Sequence, residues 1–187
     1  MIERTLVLVK PDGVERGLTG SIVAKFEASG LKLVAIKVLK PTTAQASAHY
    51  LEDKAWMESV GNKTLKSYEA KGIKMTETAL EIGQRVRNML LVYLVDQPTV
   101  AMVLEGNEAV AAVAKMTGAT APTKADPSTI RGTYSLDSYD LADTQKRAVK
   151  NIVHASGSHD NAEREIKVWF TEAEIVNYNR ADESSMY

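Results

Sequence analysis

At 187 residues, with 44% hydrophobic and 25% charged side chains, the composition is that of an ordinary globular chain and fits one domain better than two. Lysine and arginine number 23 against 24 acidic residues, a formal charge of -1, so bulk charge offers nothing to nucleic acid and an anionic ligand needs a local cluster of cations. Cysteine is absent, which excludes thiolate chemistry and agrees with a reducing, cytoplasmic setting; Glu3 and Arg4 interrupt any signal peptide, and no run approaches membrane-spanning length.

Thr5-Leu-Val-Leu-Val9 is a short unbroken apolar run closed by Lys10-Pro-Asp-Gly13. It reads as a buried strand stopped by a turn, with Lys10 at the strand's mouth. From Thr19 the apolar residues Ile22, Val23 and Phe26 recur at helical spacing, with Gly30 as a C-terminal cap. Residues 31–39 alternate, putting Leu31, Leu33, Ala35 and Lys37 on one face of a second strand that Pro41 ends. Thr42-Thr-Ala-Gln45 fits a capping box opening a helix through His49, Tyr50 and Leu51. The stretch 53–74, rich in lysine, glutamate and glycine, reads as mobile helical or irregular surface material. Residues 80–97 keep helical spacing at Ile82, Val86, Met89, Leu90, Tyr93 and Leu94; the run 90–95 also suits a strand, but the length favours a helix.

Residues 99–104 form a buried strand that Glu105-Gly106-Asn107 closes, and a helix over Ala109, Val110, Val113 and Met116 ends at Gly118. The loop 119–134, with Pro122, Pro127 and Gly132, is long enough to suggest a functional role and carries Lys124 and Arg131. Asp143 is the expected cap of a short helix through Val149, and Ser158 that of a last helix with Ile166, Trp169 and Phe170 on its buried side. Between them, Asn151-Ile-Val-His154-Ala-Ser156-Gly-Ser158 reads as a strand end opening into a turn beside a histidine. The order is a split β-α-β arrangement, hence an α+β ferredoxin-like sandwich: a four-stranded antiparallel sheet covered by helices, the two main ones on one face.

Neither glycine-rich phosphate cradle is present, so any phosphate chemistry falls to side chains. Lys10, Arg131 and His154 lie at strand mouths and loops that one sheet edge can bring together. Glu165, eleven residues beyond His154, can fold back to one ring nitrogen, fix the tautomer and leave the other as a nucleophile. The His154 and His159 pair has no third ligand nearby and Gly157 between, so no protein metal site is expected.

Lys10-Pro-Asp-Gly13, Thr129-Ile-Arg131-Gly132 and Asn151-Ile-Val-His154-Ala-Ser156 resemble signature stretches of the nucleoside diphosphate kinase family. Arg4-Thr5, Arg16-Gly17-Leu18, His49-Tyr50 and the runs 100–106 and 162–166 follow in the family's order. The resemblance implies one domain over 1–187 with added segments around 53–87 and 135–148, the first forming an extra helical segment in the nucleotide lid. It implies a ping-pong phosphotransferase in which His154 carries the γ-phosphate of a nucleoside triphosphate to a nucleoside diphosphate. Ser156 and Glu165 would support the histidine, Lys10, Thr120, Arg131 and Asn151 would hold phosphates or ribose, and Tyr50 would line the phosphate end. Mg2+ would arrive with the nucleotide, and the chain would assemble as a homo-oligomer, a hexamer or tetramer built from dimers; neither nucleic acid nor a membrane is an expected partner.

The sequence departs from the family's pattern in places. A phosphate-binding arginine is Ala114, followed by Lys115; supporting aspartates are Thr133 and Gly157; and the stacking phenylalanine is replaced. Counting back from Tyr93 and Pro98 puts Val86 and Leu90 at the base clamp, with Trp56 or Met57 as alternatives. These changes raise the alternative of a weakly active or inactive nucleotide-binding or scaffolding member; the intact histidine and its supports favour the enzyme.

Overall fold

The computed structural model describes residues 1–183. Four strands, β1 (Ile2–Val9), β2 (Lys32–Leu39), β3 (Thr99–Asn107) and β4 (Val153–Ala155), form one sheet in the order β2-β3-β1-β4 with every neighbouring pair antiparallel. The apolar run of β1 is unbroken because the strand is covered on both sides. Val7 and Val9 enter one core cluster and Leu6 and Leu8 the other, as alternate strand residues must.

One face of the sheet carries the two crossover helices, α2 (Thr19–Ala28) through Ile22 and Phe26 and α6 (Ala109–Thr117) through Ala109 and Val113. The opposite face is closed by α3 (Thr43–His49), α5 (Ala79–Leu94) and α9 (His159–Trp169) through Ala46, Leu94, Ile166 and Trp169. The expected capping box on Thr42 and the Ser158 cap are both formed.

Several local expectations are revised. The Lys10-Pro11 segment is not a bare turn but leads into α1 (Pro11–Glu15), with proline in the first turn, where its missing N–H costs nothing. A bulge between Leu33 and Ala35 breaks the alternation of β2, so Val34 and Ala35 both face the second core. β3 runs on through Glu105 to Asn107 because β1 pairs with it to that point. The loop after α6 contains a short helix, α7 (Ile130–Tyr134), capped by Thr129. Ser138, not Asp143, caps α8 (Tyr139–Thr144); the Asp143 carboxylate instead accepts from the Tyr68 hydroxyl at 2.7 Å.

The largest revision concerns 53–74, which is a regular helix, α4 (Lys54–Ala70), capped by the Asp53 carboxylate and packed against α5. Its glycines are contact points, not breakers. A Cβ on Gly61 would lie 1.8 Å from the Ala79 carbonyl oxygen, and one on Gly83 of α5 would lie 2.2 Å from that of Met57. The two backbones approach so closely that only hydrogen fits. Met57 is buried in this contact while Trp56 is partly exposed. The Tyr68–Asp143 bond and a Lys71–Asp140 ion pair tie the end of this hairpin to α8.

In an open helix Gly→Ala stabilises by about 1 kcal/mol. At Gly61 or Gly83 the sign should reverse, each alanine costing about 1–3 kcal/mol by overpacking against backbone. Urea denaturation of Gly61→Ala and Gly83→Ala checks this, and a stabilised variant would disprove the close approach.

Candidate active site

The site lies where β1 and β4 leave the sheet. The register pairs Leu8 with His154 and Val9 with Val153, and the Lys10 N–H then donates to the Ile152 carbonyl at 2.7 Å. This puts Lys10 and His154 at adjacent strand ends. Val153 N donates to the Asn151 carbonyl at 2.7 Å around Ile152, whose φ is +68°. A γ-turn centred on a β-branched residue is strained by roughly 1–3 kcal/mol. The Asp12 carboxylate holds it, accepting from Ile152 N at 3.1 Å and from the Tyr93 hydroxyl. Gly13 allows this proximity, since a Cβ there would stand 2.8 Å from Val9 Cγ1 and 3.1 Å from the Ile152 oxygen.

Lys10 Nζ donates to Asn151 Oδ1 at 2.8 Å, and Asn151 Nδ2 donates to the Thr120 carbonyl at 2.9 Å. The buried Arg131 donates to the carbonyls of Gly118, Val153 and Asn151 at 2.7, 3.0 and 3.3 Å, fixing the long loop to β4. Burial and the neighbouring Arg131 charge bring the Lys10 pKa down to about 7, against a smaller opposing pull from Asp12. Burial lowers that of Arg131 to about 10. Two cations gathered out of water, with few acids to neutralise them, make a site prepared for an anion.

His154, with its side chain 19% exposed, places Nε2 2.9 Å from Glu165 Oε2. The Ser156 hydroxyl donates to the same oxygen at 2.6 Å, and Arg164 reaches Oε1 at 3.3 Å. Burial by itself would raise the Glu165 carboxyl; the bonds to His154 and Ser156 and the Arg164 charge outweigh it, and the net shift is downward. An ionised carboxylate only accepts. Nε2 therefore carries a proton, and in the neutral ring the lone pair is on Nδ1.

Tyr50 stands edge-on to His154 with ring centroids 6.5 Å apart, and burial raises its phenol pKa, so it stays protonated. The buried Arg87 fixes the Tyr50 carbonyl at 2.9 Å. Beside these groups a groove of about 670 Å³ runs between α5 and the segment 146–150, lined among others by Gln84, Asn88, Met89, Val92, Tyr93 and Ala148. Arg147, paired with Asp137 at 2.6 Å, supports its far wall.

The structure thus joins Lys10, Asn151, Thr120 and Arg131 in one network and His154, Ser156 and Glu165 in another, with Tyr50 between. Val86 and Leu90 are half-buried on α5 outside the groove's lining, and Trp56 and Met57 do not line it either. Ala114 and Lys115 are exposed. His159 is exposed and pairs loosely with Glu163 at 3.8 Å, apart from the site. Sequence reasoning gave no role to Asp12, Tyr93, Arg87, Arg164 or the His49 ring. Asp12 had a signal, an acid inside the Lys10 turn; the others act through contacts from distant elements that no spacing encodes.

The nucleoside diphosphate kinase family model matches residues 3–66 and 57–175. A nucleoside diphosphate kinase of Pyrobaculum aerophilum is 44% identical over 180 residues, covering 94% of this chain and 98% of its own length. The crystal structure of an NDP kinase from the same organism superimposes with a TM-score of 0.90 at 43% identity, over 95% of this chain and 100% of that one. A Borrelia burgdorferi nucleoside-diphosphate kinase, solved as a transition state mimic with bound vanadate and ADP, gives 0.81 at 35% identity, over 98% and 96% of the two chains.

The carboxylate makes a claim about one proton. In 15N spectra of histidine-labelled protein at neutral pH, His154 should be the Nε2–H tautomer, and Glu165→Gln should mix the two tautomers. An unchanged His154 pattern in the variant would show that Glu165 does not set it.

Proposed function

The chain belongs to the nucleoside diphosphate kinase family, and on that premise we propose that His154 is the residue that carries the phosphoryl group. The activity is transfer of the γ-phosphate of a nucleoside triphosphate to a nucleoside diphosphate; the scaffolding alternative is not favoured. The observation that carries the assignment is the 2.9 Å contact of Nε2 with an ionised Glu165, which leaves Nδ1 bare.

In the first half-reaction Nδ1 attacks the γ-phosphorus. The N–P bond forms as the bond to the bridging oxygen breaks, and the diphosphate leaves. In the second, a terminal oxygen of the incoming diphosphate attacks the same phosphorus and the N–P bond breaks, with Nε2–H held by Glu165 throughout. Phosphoryl transfer asks a protein mainly for position and compensating charge. Lys10 and Arg131 supply the charge; Asn151, Thr120 and Tyr50 supply polar atoms for phosphate and ribose. We place the base in the α5 groove, with Met89, Val92 and Ala148 as its apolar contacts and Val86 and Leu90 flanking it on the same helix.

The side chains meeting the phosphates are cations and neutral donors, while Asp12 and Glu165 are committed to other partners. That donor set fits Mg2+ held by the nucleotide's own phosphates, where it would neutralise developing charge. Among the described residues no helix is long and apolar enough to cross a membrane, and the absence of cysteine supports a cytoplasmic setting. Edge strand β2 exposes Ile36 and Val38, 47% and 72% accessible, which supports a dimer as the building block of a hexamer or tetramer.

Incubation with ATP labelled at the γ-phosphate should yield an acid-labile, base-stable phosphoprotein, and His154→Ala should yield none. Label persisting in that variant would move the nucleophile elsewhere.

Lys10 adds a pH signature. A polyphosphate favours the ammonium form, so a lysine that titrates near 7 when free must gain a proton on binding at higher pH. Calorimetry of ADP binding at pH 8 in buffers of different ionisation enthalpy should show uptake approaching one proton, fading toward pH 6 and missing in Lys10→Met. Equal uptake in that variant would assign the proton to another group.

A further inference from the structure

His49 is 3% exposed, and its Nδ1 accepts the indole N–H of Trp169 at 3.2 Å. Indole nitrogen only donates, so the His49 proton sits on Nε2, and that nitrogen has no hydrogen-bond partner among the described residues. A buried donor left unpaired is rare enough to need a reason. The ring stands at 81° to that of His154 with centroids 4.3 Å apart, and it also packs edge-on against Tyr50 and Trp169 at 4.6 and 5.6 Å. Nitrogens of the two histidines and a Glu165 oxygen lie within 4.8 Å of one another. Arg164 closes the assembly, donating to the carbonyls of Ala48 and His49 at 2.7 and 3.4 Å and to Glu165.

We infer that His49 is a positioning residue for phosphoryl transfer: a neutral imidazole, held in one tautomer by Trp169, whose ring fixes the plane of the His154 ring. The inference rests on His154 being the phosphoryl carrier. Glu165 holds one edge of that ring, but a single hydrogen bond leaves rotation about it free, and a ring braced at right angles removes that freedom. Only an imidazole satisfies both neighbours. Phenylalanine would orphan the Trp169 N–H, and a protonated side chain would face the Lys10 and Arg164 charges out of water. Burial above all, with the neighbouring Lys10 and Arg164 charges, holds the His49 pKa well below 6.5, so the brace adds no charge beside the nucleophile. Near-attack geometry is demanding, and misplacement by about 1 Å can cost roughly a hundredfold in rate.

The test is single-turnover phosphorylation of His154 by labelled ATP, with nucleotide affinity measured in parallel. His49→Asn keeps an acceptor for Trp169 and loses the ring; its rate should fall tenfold or more while ADP affinity stays within threefold. The double variant His49→Phe with Trp169→Phe restores a ring without an orphaned donor and should recover most of the loss. A folded His49→Asn protein within twofold of the wild-type rate overturns the inference, as does an equal loss in affinity. Should the variants not fold, 15N spectra of the wild-type protein decide: His49 should remain neutral and Nε2-protonated from pH 8 to 5, and titration near 6.5 or an Nδ1–H tautomer overturns it. Absence of label on wild-type His154 would overturn the reading of the whole site, whereas normal label with an unaltered His49→Asn rate overturns this inference alone.

Discussion

With Glu165 ionised and bonded to Nε2, His154 has one nitrogen to offer, and the surrounding structure follows from keeping that carboxylate in place. Glu165 sits on the buried side of α9, one helical turn from Trp169 and next to Ile166. Packing of α9 on the sheet therefore aims it. Ser156 shares Oε2 with His154 and Arg164 reaches Oε1, and such partners are what a buried carboxylate requires if it is to stay charged. The helix that contributes the carboxylate also contributes Trp169, so the second core cluster and the His154 tautomer rest on the packing of one helix.

The cationic side of the site follows the opposite electrostatic rule. Lys10 and Arg131 are gathered in a desolvated place where burial loosens the hold of both on their protons and the Arg131 charge loosens that of Lys10 further. Hydrogen bonds to Asn151 and to backbone carbonyls make this tolerable without cancelling the charge. The strained turn at Ile152 belongs to the same design: it turns β4 so that Asn151 meets Lys10 while His154, three residues later, faces Glu165. A site held by neutral partners keeps its positive potential for an anionic ligand, where carboxylate partners would quench it.

Much was legible from local pattern. The strand and helix order, the capping box at Thr42 and the Ser158 cap rested on short-range signals that the structure keeps. The regularity of α4 was not legible in the stretch 53–74, for a physical reason. Glycine in a polar stretch signals flexibility when read alone, and only the facing helix shows that Gly61 and Gly83 permit backbone contact. The β2 bulge and the Asp143 bond to Tyr68 were hidden in the same way, since both depend on partners far along the chain.

The sequence by itself determined which residue types stand at the strand mouths, the class of fold, and the resemblance that points to phosphoryl transfer, because periodicity, caps and motif order are properties of neighbours in the chain. Only the tertiary structure decided which nitrogen of His154 is free, how far Lys10 is desolvated, where the groove lies and why His49 stays neutral. Those are questions of distance and solvent between residues from eleven to more than a hundred positions apart, and nothing short of the folded packing sets them.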